Sequence, residues 1–194
     1  GPKAVGIWHS PGTSMVLCAL AEAFYDSTPY TAIIGSVHSE MRDKGVFQDT
    51  PVAQMCEPFT KWSFRVDNGQ RIVEAIQKAL KISATGRPGP TVVEIPYDFC
   101  VNKFEYEAMP SSETFYEPKG RMGADEIQVE KAIELLLNAQ RPALIAGNGV
   151  LISGAESELK KLAEYLQIPV VMSGMGKGAI STRHDLSVGA SGVF

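Results

Sequence analysis

The run Gly86-Arg87-Pro88-Gly89-Pro90, with the eight residues after it, Thr91-Val92-Val93-Glu94-Ile95-Pro96-Tyr97-Asp98, decides the fold. Glycine and proline punctuate the first five residues so densely that neither a helix nor a strand continues through them. The next residues are β-branched and apolar, the composition of a short strand, and Pro96 stops it. A helix precedes the turn: Ile72, Val73, Ile76, Ala79 and Leu80 form one stripe over residues 70–83. Helix, turn and apolar strand in that order predict a connection that enters a buried strand of a parallel sheet.

Upstream the same grammar recurs. Ala4-Val5-Gly6-Ile7-Trp8 reads as a buried strand ended by His9-Ser10-Pro11-Gly12. Val16, Leu17, Leu20, Ala23 and Phe24 are spaced for a helix over residues 13–26, with Ser10 or Thr13 as its cap. Pro29 breaks it, and Thr31-Ala32-Ile33-Ile34-Gly35 is the next strand. Residues 36–58 are polar and irregular, and a connection of that length in a compact domain is usually functional.

Downstream, residues 99–124 read as an interdomain linker, leaving one domain over residues 1–98 and another over 125–194. In the second, Asp125 caps a helix running to Leu137, with Ile127, Ala132, Ile133, Leu136 and Leu137 inward. A strand over 142–146, a tight turn Gly147-Asn148-Gly149, a helix over 153–166 and a strand over 169–172 follow. Ser173-Gly174-Met175-Gly176-Lys177-Gly178 is a second glycine-rich turn, and Met172 and Met175 read as packing. The fold class is α/β, two doubly wound parallel-sheet units. Both read as incomplete, since the first opens directly on a strand and only two strands of the second are accounted for.

Composition narrows the classes of function. Apolar residues make up 44% and charged residues 21% of the 194, the mix of a soluble globular protein. A net charge of -4 offers no basic face to nucleic acid or acidic membrane. No apolar run approaches the roughly 20 residues that span a bilayer. The three cysteines, Cys18, Cys56 and Cys100, form no C-x-x-C pair, and each reads as a small buried hydrophobe in a reduced, cytoplasmic protein.

Open α/β sheets bind ligands at the carboxyl ends of their strands. That edge carries His9-Ser10-Pro11-Gly12 and Ser36-Val37-His38, and a histidine there is either a proton carrier or a polar loop residue. His184, between Arg183 and Asp185, reads as solvated surface. In Phe47-Gln48-Asp49-Thr50-Pro51, Gln48 could hold a substrate carbonyl or hydroxyl, or cap a helix that starts at Pro51. The two glycine turns of the second unit would let backbone approach a phosphate or ring, but neither is a G-x-G-x-x-G or Walker A motif.

Five segments, residues 4–12, 35–51, 86–98, 141–150 and 168–194, together resemble the acetohydroxyacid synthase-like branch of thiamine-diphosphate enzymes. The runs V-F-Q-D-T-P, G-R-P-G-P-T-V-V-E-I-P, A-G-N-G-V and L-S-V-G-A-S-G carry the resemblance by their order and spacing. It implies a pyrimidine-binding domain followed by the front half of a Rossmann-like central domain. The family's activating glutamate and its magnesium- and diphosphate-binding G-D-G…N motif are not among these residues, which would be inert alone. By the family pattern Pro11 and Gly12 lie beside the pyrimidine ring. Phe47 and Gln48 lie near the thiazolium and substrate, with Gln48 and His9 as the catalytic candidates. Arg87, Gly147, Asn148, Gly149, Ser173, Gly174, Met175, Ser191, Gly192 and Val193 would approach FAD, where other members hold ADP or nothing.

The resemblance also implies a 2-oxo acid or diketone substrate and a homodimer or homotetramer. The chain departs from the pattern at S-G-P-G-A-T-N, which here is His9-Ser10-Pro11-Gly12-Thr13-Ser14-Met15, and at His38-Ser39-Glu40. Trp8-His9 faintly resembles members that hydrolyse a C–C bond in diketones, so the identity of the substrate stays open. Two other readings stand beside this one: a non-catalytic nucleotide- or flavin-binding module, and a degenerate assembly subunit.

Overall fold

A computed structural model of the chain describes residues 4–105 and 123–192. The chain divides into two compact units, residues 1–121 and 122–194. The first contains β1 (Ala4–His9), α1 (Thr13–Tyr25), β2 (Tyr30–Ser36), α2 (Val52–Cys56), β3 (Trp62–Arg65), α3 (Ile72–Ala84), β4 (Pro90–Pro96) and α4 (Tyr97–Val101). Its four-stranded sheet has the order β1-β2-β4-β3, and every neighbouring pair is parallel.

Strand β4 is buried from end to end because it is central and covered on both faces. Side chains alternate across a strand, so Val92 joins Ala32 and Ile34 on one face while Val93 and Ile95 join Ile33 on the other. Val16 and Leu20 of α1, with Val52 and Cys56 of α2, close the first face. Ala75 and Ala79 of α3 close the second. Fully burying a leucine such as Leu20 contributes about 2 kcal/mol. Between β2 and β4 the Thr31 and Thr91 hydroxyls bond across the strands at 3.0 Å, and Thr91 also donates to the Ala79 carbonyl of α3.

Several sequence expectations are corrected. Strand β1 is an edge strand rather than a buried one, and Val5 and Ile7 on its uncovered face are 53% and 78% exposed. Helix α1 is capped by neither Ser10 nor Thr13; Gly12 stands at its N-cap with no side-chain bond, behind a 3-10 turn of Ser10–Gly12. The irregular stretch contains α2, which Pro51 opens. Strand β3 was not expected, because four residues carry too little alternation to read. Trp62 and Phe64 stack there, and Lys78 and Arg71 lie over their rings. Cys18 and Cys100 are exposed, and only Cys56 of the three is buried.

The expected linker starts too early at residue 99. Residues 99–101 continue α4, and Phe99 packs on the sheet's second core. Residues 106–122 of that linker lie outside the described residues.

The second unit holds α5 (Glu126–Asn138), β5 (Leu144–Ala146), α6 (Asn148–Ser153), α7 (Glu156–Leu166), β6 (Val170–Met172) and β7 (Ser187–Ala190). Its sheet is parallel in the order β5-β6-β7. Ala146, Val170 and Met172 pack on Ala163, Ala179 and Ile180. Asp125 caps α5 as expected, accepting from the Gln128 N–H at 3.1 Å. None of the expected inward residues of α5 is buried. The stripe makes the helix amphipathic, but burial needs a facing layer that the described residues do not supply.

The helix expected over 153–166 is α7, which starts three residues later, and a separate short helix, α6, precedes it. Gly154 adopts φ 64° at the end of α6, and α7 starts anew at Glu156. The expected tight turn at Gly147-Asn148-Gly149 is instead the N-terminus of α6. Met175 is 48% exposed and does not pack. β7, unexpected because Ser187-Val188-Gly189-Ala190 has little strand character, is the third strand.

Candidate functional site

All four strands of the first sheet end on the same edge, and the long connection between β2 and β3, residues 37–61, starts from it. Four side chains, Asp98, Ser10, Glu94 and Ser63, fasten that connection to the sheet. The Asp98 carboxylate, just past β4, accepts from the Ser39 N–H at 2.8 Å and the Ser39 hydroxyl at 2.7 Å. The Ser10 hydroxyl, just past β1, donates to the Gln48 carbonyl at 2.7 Å. The Glu94 carboxylate, inside β4, accepts from the Ala53 N–H at 2.9 Å, and the Ser63 hydroxyl donates to the Ala53 carbonyl at 2.7 Å.

The connection also folds on itself. The Asp49 carboxylate accepts from the Lys44 and Gly45 N–H groups, and the Asp49 N–H donates to the Val46 carbonyl. Gln48 adopts φ 68°, a left-handed conformation that an unconstrained glutamine avoids. As a result Gln48 and the 88% exposed Phe47 stand beside Ser10-Pro11-Gly12, although some 38 residues separate them in sequence.

His9 ends β1 opposite Gly35 of β2 and is exposed. A Cβ on Gly35 would lie 3.4 Å from the His9 ring, so the imidazole lies across that glycine. His38 turns the other way: its Nδ1 accepts from the Glu40 N–H and lies 4.0 Å from the Asp98 carboxylate. His9 is therefore the open histidine of this edge, and His38 belongs to the fastening of the loop.

The electrostatics follow burial. Glu94 is buried, and its Oε1 lies 3.1 Å from Arg65 Nε. Burial lowers the Arg65 pKa, with the Glu94 charge acting against it. Burial, aided by the Glu94 charge, pushes the Cys56 thiol up to about 11. For Asp98, burial acts to raise the pKa, but the hydrogen bonds from the Ser39 hydroxyl and amide outweigh it, and the carboxyl titrates below its ordinary value. A cavity of about 200 Å³ opens beside this network, between Ser39, Arg42, Arg65, Asp67, Pro96 and Phe99.

The edge suits a flat polar ligand at the start of α1. The first turn of that helix has no side-chain cap. The Thr13 and Ser36 hydroxyls are buried there without a hydrogen-bond partner. Among the described residues no cluster of three or more histidine, cysteine or acidic side chains could hold a metal ion.

In the second unit the carboxyl edge gathers the glycine turns. Gly147 and Asn148 open α6 after β5, Ser173 follows β6, and Ser191 follows β7. The Ser173 N–H donates to the Ala146 carbonyl at 2.9 Å, and the Ser191 N–H donates to the Met172 carbonyl at 2.7 Å. Cβ atoms at Gly149, Gly174 and Gly192 would meet nothing within 4 Å, so backbone stands open there. Gly192 adopts φ 87°, and Val193 lies outside the described residues.

Arg87 stands apart from the carboxyl edge of the first sheet. Its guanidinium donates to the Ser27 hydroxyl and to the Phe24 and Tyr25 carbonyls, closing the C-terminus of α1 at the amino edge of the first sheet. His184 is not simply solvated: its Nε2 lies 3.0 Å from Glu164 and its Nδ1 accepts from the Leu186 N–H.

Four residues of these edges were not singled out from sequence: Ser10 as a tether, Glu94, Asp98 and Gly176. Glu94 had a visible signal, since a carboxylate inside an apolar strand run needs a buried partner. Gly176 had none, because its constraint is the Ala146 carbonyl of another strand.

Comparison with known proteins places the chain. Residues 129–194 match the family model described as the thiamine pyrophosphate enzyme central domain. The chain is 34% identical to the probable acetolactate synthase large subunit of Methanocaldococcus jannaschii, over 94% of this chain and 31% of that protein. It is 34% identical to the acetolactate synthase large subunit of Corynebacterium glutamicum, over 94% of this chain and 29% of that protein. It is 33% identical to the glyoxylate carboligase of Escherichia coli O157:H7, over 94% and 30%. The chain thus spans about 31% of the length of the curated relatives it matches.

Proposed function

We propose that the chain is part of a thiamine pyrophosphate enzyme of the acetolactate synthase-like kind, one that makes or breaks a C–C bond beside a carbonyl, since residues 129–194 match the central domain of such enzymes and 94% of the chain aligns with an acetolactate synthase large subunit. The substrate class is a 2-oxo acid or a diketone. The observation that carries this reading is the convergence of His9, Pro11, Gly12, Phe47 and Gln48 on one strand-end edge, within a chain that aligns with such enzymes over 94% of its length.

Thiamine diphosphate, when bound, supplies a stabilised carbanion equivalent at the substrate carbonyl carbon. Pro11, Gly12 and the first turn of α1, which no side chain caps, receive the pyrimidine rim. Gln48 holds the substrate oxygen through its side-chain amide, which donates and accepts at once. His9 gives or takes the proton at that oxygen, since an imidazole at an open strand end can do either. Phe47 covers the reacting centre and excludes water.

In the second unit, the edge that carries Gly147, Asn148, Gly149, Ser173, Gly174, Met175, Ser191 and Gly192 receives FAD, with open backbone at Gly149, Gly174 and Gly192. Magnesium binds outside these residues, and residues 1–194 alone do not turn over substrate. The reading further carries a cytoplasmic location and a homodimer or homotetramer. No helix among the described residues is long and apolar enough to cross a membrane.

The test uses the full-length protein, purified, stripped and titrated with thiamine diphosphate and Mg2+ by calorimetry. A carbonyl-substrate panel of pyruvate, glyoxylate and cyclic diketones follows. Saturable binding with release of a new carbonyl product supports the reading. Failure to bind thiamine diphosphate refutes it and leaves a nucleotide- or flavin-binding module.

A further inference from the structure

We propose that Ser10 is a positioning residue that sets where Gln48 stands at the candidate site, an inference that rests on the catalytic reading of that edge. Ser10 is fully buried, and its hydroxyl donates at 2.7 Å to the main-chain carbonyl of Gln48. The hydroxyl reaches the carbonyl rather than the side chain, so it constrains the backbone and leaves the amide of Gln48 free. Gln48 holds φ 68° at that same residue. A non-glycine residue persists in that region only where its surroundings over-determine it.

Two elements provide that determination from opposite sides. Asp49 organises the turn from within, through the Lys44 and Gly45 amides. Ser10 fastens the turn to the end of β1, beside Pro11 and Gly12. The internal bonds fix the shape of the turn, but they do not fix its place on the sheet edge. The Ser10 hydroxyl does so at Gln48 itself, whereas Asp98 and Glu94 fasten the connection further along, at Ser39 and Ala53. A glycine at position 10, as in the family pattern, has no hydroxyl to offer. The tether is thus a feature of this chain's own His9-Ser10-Pro11-Gly12 run. His9 precedes the tether directly, so one residue couples the placement of His9 and Gln48.

The experiment compares wild type with Ser10→Ala and Ser10→Gly in the full-length protein. It reads hydrogen exchange over residues 44–50, thiamine diphosphate affinity, the melting temperature and steady-state kinetics. Loss of one buried hydrogen bond predicts roughly tenfold faster exchange over that stretch. Melting temperature and cofactor affinity stay near wild type. The kcat falls more than KM changes, because the cofactor is held and the group facing the substrate is misplaced. Unchanged exchange over 44–50 in both variants overturns the proposal. So does a kcat loss matched by an equal loss of cofactor affinity, which assigns Ser10 to the cofactor itself. If the wild type turns over no 2-oxo acid or diketone, the catalytic reading fails by itself, and the proposal falls with it even where the exchange result shows the tether.

Discussion

Replacing Glu94 by glutamine tests the buried network that carries the candidate site. Glu94 Oε1 lies 3.1 Å from Arg65 Nε, and their side chains are 4% and 15% exposed. Glutamine keeps the shape and can still accept from the Ala53 N–H, so the variant removes the charge and little else. Stripping one partner from a buried pair costs about 3–5 kcal/mol, because the other charge is left without compensation. Arg65 retains a narrow path to water, which places the expected loss at the lower end, about 3 kcal/mol. Glu94→Leu also releases Ala53 and should cost about 1 kcal/mol more.

The double variant Arg65→Met, Glu94→Leu leaves no orphan charge and should recover most of the loss. Both tryptophans, Trp8 and Trp62, lie in the first unit, so tryptophan emission during urea unfolding reports that unit selectively. Wild type, Glu94→Leu, Arg65→Met and the double variant together form a double-mutant cycle. A loss below about 1 kcal/mol for Glu94→Gln would refute the reasoning. So would a double variant as unstable as the sum of its parts, since the pair would then act as independent polar groups.

Gly176→Ala should destabilise the second unit by several kcal/mol, since its Cβ would lie 2.1 Å from the Ala146 carbonyl oxygen, whereas Gly174→Ala, with open space around it, should change stability little; thermal melts of the two variants decide. Asp98 has a depressed pKa, so its contribution is present above the ordinary carboxyl value of about 3.9 and is lost as pH falls through the lower folded value. Exchange at the Ser39 amide should therefore accelerate on acidification below about pH 4, beyond the intrinsic pH effect, and Asp98→Asn should remove that dependence. Cys18 and Cys100 should react with a disulfide reagent in the native chain, while Cys56, buried and raised to about 11, should react only after unfolding; three fast thiols would contradict the packing of α2.

The sequence by itself determined the parallel α/β architecture. Val92, Val93 and Ile95 are apolar on both faces, and only a central parallel strand covered by helices on either side accommodates that. It also placed His9, Pro11 and Gly12 at one strand-end edge, because parallel strands end together, while the Phe47-Gln48 pair came near that edge only through the family resemblance. Local signals, such as the helical stripe before Gly86 and the Asp125 cap, act within a few residues and survive in one dimension. Tertiary structure decided the rest, because those features depend on partners far away in the chain. Whether β1 is buried depends on which strands flank it, and the sheet order makes it an edge. Whether the stripe of α5 is inward depends on a facing layer. That Ser10 meets Gln48, Glu94 meets Arg65 and Gly176 meets Ala146 follows from closing the sheets, since each contact joins segments whose own sequences carry no record of the other.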